Sequence, residues 1–157
     1  MWLMPLDSPQ DARPALESDH TVIFAQFSPN ERFIVFSSNA SGANEIYVQT
    51  LAASKTQRWR VSHKGGTQPR WRRDGKEIFY LGADGKLMTV PVKIEGDEME
   101  LGDPKALFMH PLLPATYTAY QYDVSPDGDK FVFLSASIGK VSPPVRVIIN
   151  WESLLNR

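Results

Sequence analysis

Three histidines are the residues of this chain that most directly suggest metal or acid–base chemistry. His20, His63 and His110 can ligate a metal through a ring nitrogen or exchange a proton near neutral pH. They stand at unrelated places in the repeat described below, whereas a site shared by repeats draws its ligands from equivalent positions. We therefore predict that all three are solvated loop residues and that the chain holds no metal. A metal bound through two of them would contradict this interpretation.

Other short motifs resemble catalytic or ligand-binding signatures but lack the partners those signatures need. SIGK at residues 137–140 fits the Ser-x-x-Lys pattern of serine hydrolases, which requires a helix start and SDN and KTG partners. DGD at 127–129 lacks the later bidentate Glu of a calcium loop, and GGTQP at 65–69 lacks the Lys-Ser/Thr that completes a phosphate loop. There is no cysteine, which excludes thiol chemistry. The sequence predicts that the chain is not an enzyme and carries no cofactor.

A repeated turn motif organises the chain. The stretches SPNERFIVF (28–36), RRDGKEIFY (72–80) and SPDGDKFVF (125–133) superpose without a gap. Their third residue is Asn or Asp, which favours a turn because its side chain bonds to nearby backbone. In two copies a glycine follows and takes a positive φ cheaply, whereas Glu31 in the first copy should weaken that turn. Each copy ends in an unbroken apolar run, which is typical of a strand buried on both faces.

The spacing of this motif predicts a β-propeller. The intervals are 44 residues (30 to 74) and 53 residues (74 to 127). A period of about 40–50 residues with several strands per unit is typical of propeller blades. Each unit fits four antiparallel strands, A to D, and the nine extra residues of the second interval fit an enlarged loop around 94–116 that is acidic and then proline-rich.

We predict an all-β fold, a propeller segment of about three four-stranded antiparallel blades in a single domain, 1–157. LMPL and RPALE near the N-terminus are similar to later C and D strands, so residues 1–18 are predicted as strands C and D of a partial blade. Blades follow at 19–63 and 64–115, and 116–157 form a blade that lacks its last strand. The predicted strands are 22–27, 32–37, 45–49 and 57–61, then 68–71, 77–81, 86–92 and 105–108, then 119–124, 130–135 and 145–151.

Several stretches resemble the TolB-like, WD-repeat-like propeller repeats of bacteria: 27–39, 65–81 (GGTQPRWRRDGKEIFYL), 84–93 (DGKLMTVPVK), 122–134 (YDVSPDGDKFVFL) and 144–151 (PVRVIINW). In their order they are most similar to the C-terminal propeller of large bacterial proteins with an N-terminal serine/threonine kinase domain, notably from acidobacteria. The resemblance implies a six-bladed ring and a periplasmic or otherwise extracytoplasmic location. No kinase motif occurs in this chain, so kinase activity would belong to a segment outside it.

Strand A of each blade lines the axis of a propeller, and its polar residues are the predicted ligand-binding positions. The alignment gives two equivalent sets: Gln26, Arg70 and Asp123 in one, and Phe24, Gln68 and Gln121 in the other. The polar members could meet a small polar ligand or a loop of a protein partner. The competing interpretation is that they hydrogen-bond to neighbouring blades.

Charge is balanced overall and uneven locally. The formal net charge of −1 gives no general attraction to nucleic acid or to anionic membranes. No apolar run approaches the roughly 18 residues of a membrane helix, so no membrane insertion is expected. Eight basic residues lie between 55 and 76, and five acidic residues lie between 95 and 103. A solvated outer surface and electrostatic docking of the basic blade edge on the acidic loop both fit this pattern.

These features predict a non-catalytic propeller module for protein–protein or ligand binding or for scaffolding, as the sensor or interaction part of a larger bacterial protein. The alternative is a fragment of a propeller-type enzyme, either a lactonase or lyase or the cap domain of a prolyl oligopeptidase. An enzyme would need position-equivalent acids or histidines along the channel, where only Asp123 qualifies. The peptidase would also need a Gly-x-Ser-x-Gly elbow, which the chain lacks.

We expect the purified chain to form a homodimer. Three blades cannot close a ring, because propellers need about four to eight, and an open arc would expose an apolar face at each end. Residues 13–17, predicted as a D strand without its own A and B strands, could complete the third blade. Two arcs related by a two-fold axis would then form a six-bladed ring. Sedimentation or light scattering at micromolar concentration measures the mass, and a stable soluble monomer would contradict the prediction.

Overall fold

The computed structural model describes residues 1–52, 56–109 and 119–134, together with the backbone of strand residues 145–149. His110 and the SIGK motif at 137–140 lie outside the described residues. A short 3-10 helix occupies Pro9–Asp11, and the remaining regular elements are β-strands. They are β1 (Trp2–Leu3), β2 (Arg13–Pro14), β3 (Val22–Phe27), β4 (Phe33–Ser38), β5 (Glu45–Thr50), β6 (Arg58–Arg60), β7 (Gly66–Trp71), β8 (Glu77–Gly82), β9 (Lys86–Glu95), β10 (Glu98–Leu101), β11 (Lys105–Met109), β12 (Tyr122–Val124), β13 (Lys130–Leu134) and β14 (Val145–Ile149).

The strands form antiparallel sheets that follow one another along the chain. β3 to β6 form a four-stranded sheet, β7 to β11 a five-stranded sheet, and β12 to β14 a three-stranded sheet. Within each of these, strands A, B and C pair in chain order, which is the arrangement of a propeller blade. The predicted all-β fold of antiparallel propeller blades is confirmed. β1 and β2 pair with each other in a separate two-stranded sheet, and their assignment to a partial blade stays a prediction.

The three A–B turns have the same hydrogen bonds. The side-chain oxygen of the third motif residue accepts the backbone N–H two residues further on, at 3.2, 3.0 and 3.1 Å for Asn30, Asp74 and Asp127 respectively. The residue after it takes a positive φ in every copy, 57° in the first and 74° and 80° in the glycine-containing copies. The prediction that residues 30, 74 and 127 occupy equivalent turns in three successive sheets is confirmed.

The second blade differs from the prediction in its outer strands. The expected acidic loop after residue 94 begins as a hairpin, in which β9 continues to Glu95 and β10 returns along it. β11 then pairs with the first half of the same edge of β9, so β10 and β11 together form strand D. Pro91 has no N–H to donate at the point where the ladder breaks between them, and only its carbonyl is paired, with the N–H of Gly102 at 2.8 Å.

The acidic tip of this hairpin contacts the first blade. Asp97 forms an ion pair with Arg32, and the side-chain amide of Gln57 donates to Glu98 at 3.2 Å. Arg60 and Arg72, which belong to the basic run, instead pair with carboxylates of their own blades at 2.7 and 2.9 Å. The acidic run therefore contacts the neighbouring blade of the same chain through Arg32 and Gln57, neither of which is among the basic residues between 55 and 76.

Alternate residues of each B strand pack against different neighbours, because successive side chains of a strand point to opposite faces of its sheet. The contact between the first two blades includes Phe33, Val35, Ile78 and Tyr80, and the contact between the second and third includes Phe79, Leu81, Phe131 and Phe133. In the second blade, the apolar run at the end of the motif therefore contributes alternate residues to two interfaces, one with the first blade and one with the third.

The two ends of this stack are different. On the first blade, Phe36 is 1% exposed because Leu16 of the N-terminal segment packs over it. On the third blade, Val132 and Leu134 are 39% and 48% exposed. The expectation that both end blades expose an apolar face is therefore wrong for the first blade, whose face is covered by the chain's own residues. Self-association stays a prediction.

Replacing Glu31 by glycine should stabilise the chain. Glu31 has a φ of 57°, and a left-handed conformation costs a residue with a Cβ about 1–2 kcal/mol. We expect Glu31→Gly to raise the free energy of unfolding by up to about 1 kcal/mol, because the greater freedom of glycine in the unfolded chain offsets part of the gain.

The matched variant is Gly75→Ala at the equivalent position. There φ is 74°, and a methyl group would meet no atom closer than Pro29 Cδ at 3.9 Å, so backbone strain alone should lower the stability. Urea unfolding of both variants measures the two effects. A Glu31→Gly protein that is no more stable than the parent would contradict the strain assigned to this turn.

Candidate functional site

The inner strands β3 and β7 carry the same β-bulge. Their pairing with the next strand shifts register at corresponding places, and inside each bulge one residue takes a left-handed φ of 55°: Phe24 in β3 and Gln68 in β7. These two residues are equivalent in the repeat. A bulge bends its strand and changes the direction of a side chain, so both residues are redirected in the same way. Neither residue type favours positive φ, and sequence reasoning had no signal for this feature.

Gln68 and Gln121 join the second and third blades. Both are buried, and the Nε2 of Gln68 donates to the Oε1 of Gln121 at 3.1 Å. The Oε1 of Gln68 accepts the backbone N–H of Gln121 at 2.6 Å, and the hydroxyl of Tyr122 donates to the backbone oxygen of Gln68 at 2.9 Å. These bonds satisfy polar groups inside the stack. Contact between blades is observed for this pair, and ligand binding by it stays a prediction.

Gln26 makes the corresponding link between the first and second blades. Its Oε1 accepts the backbone N–H of Trp71 at 2.8 Å, which brings its side chain beside the residue that follows Arg70. Gln26 was aligned with Arg70 and Asp123. The structure places it on β3, which lies beside β7, the strand that carries Arg70. Its possible role toward a ligand likewise stays a prediction.

Arg70 lies in a cluster that draws on all three inner strands and their flanks. Its guanidinium carbon is 3.6 Å from the ring centroid of Tyr120, a cation–π contact. Tyr120 in turn meets Phe24 edge to face, with 4.9 Å between ring centroids. The Nε of Arg70 is also 3.6 Å from the Oδ1 of Asp123. The structure thus brings together Arg70 and Asp123, as the alignment suggested, and adds two aromatic rings.

Two polar atoms of this cluster are buried without a hydrogen-bond partner in the described part of the chain, the Nε of Arg70 and the hydroxyl of Tyr120. The side chains of Arg70 and Asp123 are 20% and 64% exposed as a whole, so part of each reaches solvent although the Nε of Arg70 is buried. Burial raises the pKa of Tyr120 to about 12; the nearby Arg70 opposes this shift and Asp123 adds to it. The hydroxyl is therefore neutral near pH 7 and can act as a hydrogen-bonding group.

Tyr120 was missed by the sequence reasoning. In the repeat it aligns with Ile23 and Thr67, so no polar pattern marked the position, and β12 begins only at Tyr122. The available signal was an aromatic residue next to a row of polar inner-strand positions, where it can stack on an arginine from the neighbouring blade.

The described residues contain no group of three or more His, Cys, Asp or Glu side chains that could hold a metal ion. His20 and His63 are both exposed, and they lie in connections between strands. The predicted absence of a metal site stays a prediction for the chain as a whole. In the same described residues, no helix has the length and apolar character needed to cross a membrane.

Glu45 is a buried carboxylate at the start of β5. It is 3% exposed and accepts hydrogen bonds from the Ser62 hydroxyl, from an Nη of Arg60 at 2.7 Å and from the backbone N–H of Gly65 at 3.0 Å. Burial acts to raise the pKa of Glu45, but these hydrogen bonds and the charge of Arg60 together hold it below its ordinary value. Glu45 therefore fixes the connection from the first blade to the second.

Comparisons with known proteins support the fold but identify no family. No family model matches the chain, and no curated protein matches it significantly. Among solved structures, an oligogalacturonate lyase from Vibrio parahaemolyticus is 15% identical, with a TM-score of 0.51, over 85% of this chain and 35% of its own. A putative 6-phosphogluconolactonase from Bacteroides uniformis is 16% identical, with a TM-score of 0.54, over 85% of this chain and 39% of its own.

TolB from Acinetobacter baumannii also matches, at 14% identity over 93% of this chain and 44% of its own. Its TM-score of 0.44 is too low to support a conclusion about the fold. The chain spans less than half the length of these three structures. Similarity at this level of identity shows the fold alone. Together with the blades described above, it defines the chain as a β-propeller segment.

The prediction that the chain is not an enzyme is contradicted by these comparisons. Two of the structures that share its fold are named as enzymes, a lyase and a putative lactonase. The prediction relied on missing motifs in a stretch that corresponds to 35–39% of those chains. Residues for a site can come from several blades of one propeller, so missing motifs in a few blades do not exclude catalysis.

Replacing Glu45 by glutamine should lower stability in a pH-dependent way. Loss of the charge-assisted hydrogen bonds should cost about 1–3 kcal/mol near neutral pH. Because the pKa of Glu45 is lowered by folding, its contribution is fully present above its unfolded pKa, near 4.5, and is lost as the pH falls through the folded value.

The difference in unfolding free energy between the parent and Glu45→Gln should therefore shrink below about pH 4.5. Glu95→Gln is the control, since Glu95 is an exposed carboxylate near the hairpin tip and forms an ion pair with exposed Lys93. Urea unfolding at several pH values measures both variants. A difference for Glu45→Gln that does not change with pH would contradict the assigned ionisation.

Proposed function

We propose that the chain is a binding module within the propeller of a longer protein, and that its ligand or partner contacts the inner-strand face around Arg70. The observation that carries this proposal is the state of the Arg70 guanidinium. It is held against the ring of Tyr120 and is partly exposed, yet its buried Nε has no hydrogen-bond partner among the described residues. An arginine in this state is suited to a polar group that arrives from outside the chain.

The polar side chains of the inner strands divide into two kinds. Gln68 and Gln121 are buried and bonded to each other, so they hold blades together. Arg70 and Asp123 are near each other, oppositely charged and partly exposed, and the 3.6 Å between Nε and Oδ1 leaves them without a direct hydrogen bond. A small polar ligand or a polar loop of a partner can enter such a pair, since pockets that bind ligands place a few polar groups among apolar and aromatic walls.

A second candidate surface for contact with a protein lies at the N-terminal end of the chain. Trp2, Met4 and Leu6 are exposed on the segment that covers the first blade, and apolar surface of this kind favours association. The homodimer expected from the sequence would use this surface together with Val132 and Leu134 of the third blade. This remains a proposal that the mass measurement described above tests.

The wider setting of the module rests on the sequence resemblance alone. An extracytoplasmic location and a place in a sensor or interaction protein are what the TolB-like resemblance implies, and we retain them as proposals. The comparisons lend no support to the more specific link with kinase-containing proteins.

Ligand binding can be tested by nuclear magnetic resonance on the isotope-labelled chain. The probes are small polar compounds in separate neutral, anionic, cationic and zwitterionic sets, and a set of short polar peptides. We expect at least one set to shift the backbone amides of β3, β7 and β12. Shifts confined to other strands, or no shifts with any set, would overturn the proposal. Conversion of a probe would appear in the same spectra and would show that the site is also catalytic.

A further inference from the structure

We propose that Arg70 is an oxyanion-binding residue and that it takes the carboxylate or phosphate group of a small-molecule ligand. This inference rests on the proposed function, because it names the chemical class that the inner-strand face would bind. It is argued from the unsatisfied donors of Arg70, from the fixed position of its guanidinium and from the charges around it.

Arg70 leaves its donors unused although its side chain is largely buried. A guanidinium has five N–H donors in a planar fork, and the guanidinium of Arg70 makes no hydrogen bond within the described part of the chain. Its closest carboxylate oxygen, the Oδ1 of Asp123, is 3.6 Å away, beyond hydrogen-bonding distance. By contrast, Arg58, Arg60 and Arg72 each donate to a side-chain oxygen of their own blade at 2.7–2.9 Å.

The position of the guanidinium is set by aromatic packing. Tyr120 covers one face of it at 3.6 Å, and Phe24 supports Tyr120 from the first blade. Stacking of this kind orients the plane of the guanidinium, and a carboxylate or phosphate meets arginine edge on, with two parallel hydrogen bonds. Because the side chain is already held, less conformational entropy is lost when an anion binds.

The surroundings of Arg70 supply two further hydrogen-bonding groups and one competitor. The amide of Gln26 is bonded to the backbone of Trp71, the residue after Arg70, and because its oxygen accepts this bond its nitrogen is the part that can donate. The hydroxyl of Tyr120 is a neutral hydrogen-bonding group without a partner among the described residues. Asp123 is the competitor, since an incoming anion must displace or tolerate a carboxylate 3.6 Å from the Nε. Removing that charge should therefore strengthen anion binding.

The experiment compares matched charged and neutral sugars. Galacturonate is titrated against galactose, and glucose 6-phosphate against glucose, while nuclear magnetic resonance follows the Nε–H signal of Arg70 and the amides of the inner strands. We expect at least one charged probe to shift the Arg70 signal and its neutral counterpart to leave it unchanged. A response to galacturonate alone identifies a carboxylate ligand, and a response to glucose 6-phosphate alone identifies a phosphate ligand.

Three variants of the full chain sharpen the test. Arg70→Lys keeps the charge but loses the fork, and should weaken binding of the charged probe about tenfold or more. Asp123→Asn keeps an oxygen that can accept from the N–H of Val124, and should strengthen binding several-fold, by removal of the competing charge. Arg32→Lys is the matched control at an exposed arginine paired with Asp97, and should leave the affinity unchanged.

The possible outcomes separate this inference from the proposed function. If probes shift the inner strands without preference for charge and without moving the Arg70 signal, the binding face stands and the oxyanion role is wrong. If Arg70→Lys, shown by its spectrum to be folded, binds the charged probe as the parent does, the oxyanion role is also wrong. If no probe or peptide affects the inner strands, both proposals fail. The Nε–H signal of Arg70 in the parent chain tests the oxyanion role even where a variant does not fold.

Discussion

The stacking of neighbouring blades through alternate side chains is the constraint on which the rest of this structure depends. Adjacent residues of strand β8 serve different interfaces, Ile78 against the first blade and Phe79 against the third. Burial of each such side chain contributes about 1.5–3 kcal/mol relative to exposure. A single blade has no partner for either face, so the blades acquire their stability from one another, as in other repeat folds.

Apolar stacking has little directional preference, and polar contacts at defined places set how the blades meet. At the inner end, Gln68 and Gln121 exchange hydrogen bonds across one interface, and Gln26 bonds to the backbone of Trp71 across the other. Glu45 holds the connection between the first and second blades through its bonds to Ser62 and Gly65. Buried groups of this kind tolerate only a narrow range of positions, because a displaced blade would leave them unsatisfied.

The parts of the fold that depend on local chemistry could be predicted from the sequence. The Asn or Asp turn residues and the apolar runs after them located the A–B hairpins, since both signals lie within a few residues. The left-handed φ of Phe24 and Gln68 could not be predicted, because neither type favours it and the bulge is imposed by contacts with other strands. The alignment also grouped Arg70 with Asp123 as equivalent inner-strand positions, but Tyr120 entered the cluster through packing between distant segments that no local pattern records.

The long hairpin of the second blade shows where this fold accommodates changes in chain length. The second repeat interval exceeds the first by nine residues, and β9 and β10 extend the sheet outward without disturbing the strands nearer the axis. A single residue added within β8 would have the opposite effect, because it would exchange the side chains that face the first and third blades. Natural variation in length among related propellers should therefore concentrate in the outer hairpins, while the second strand of each blade keeps its length.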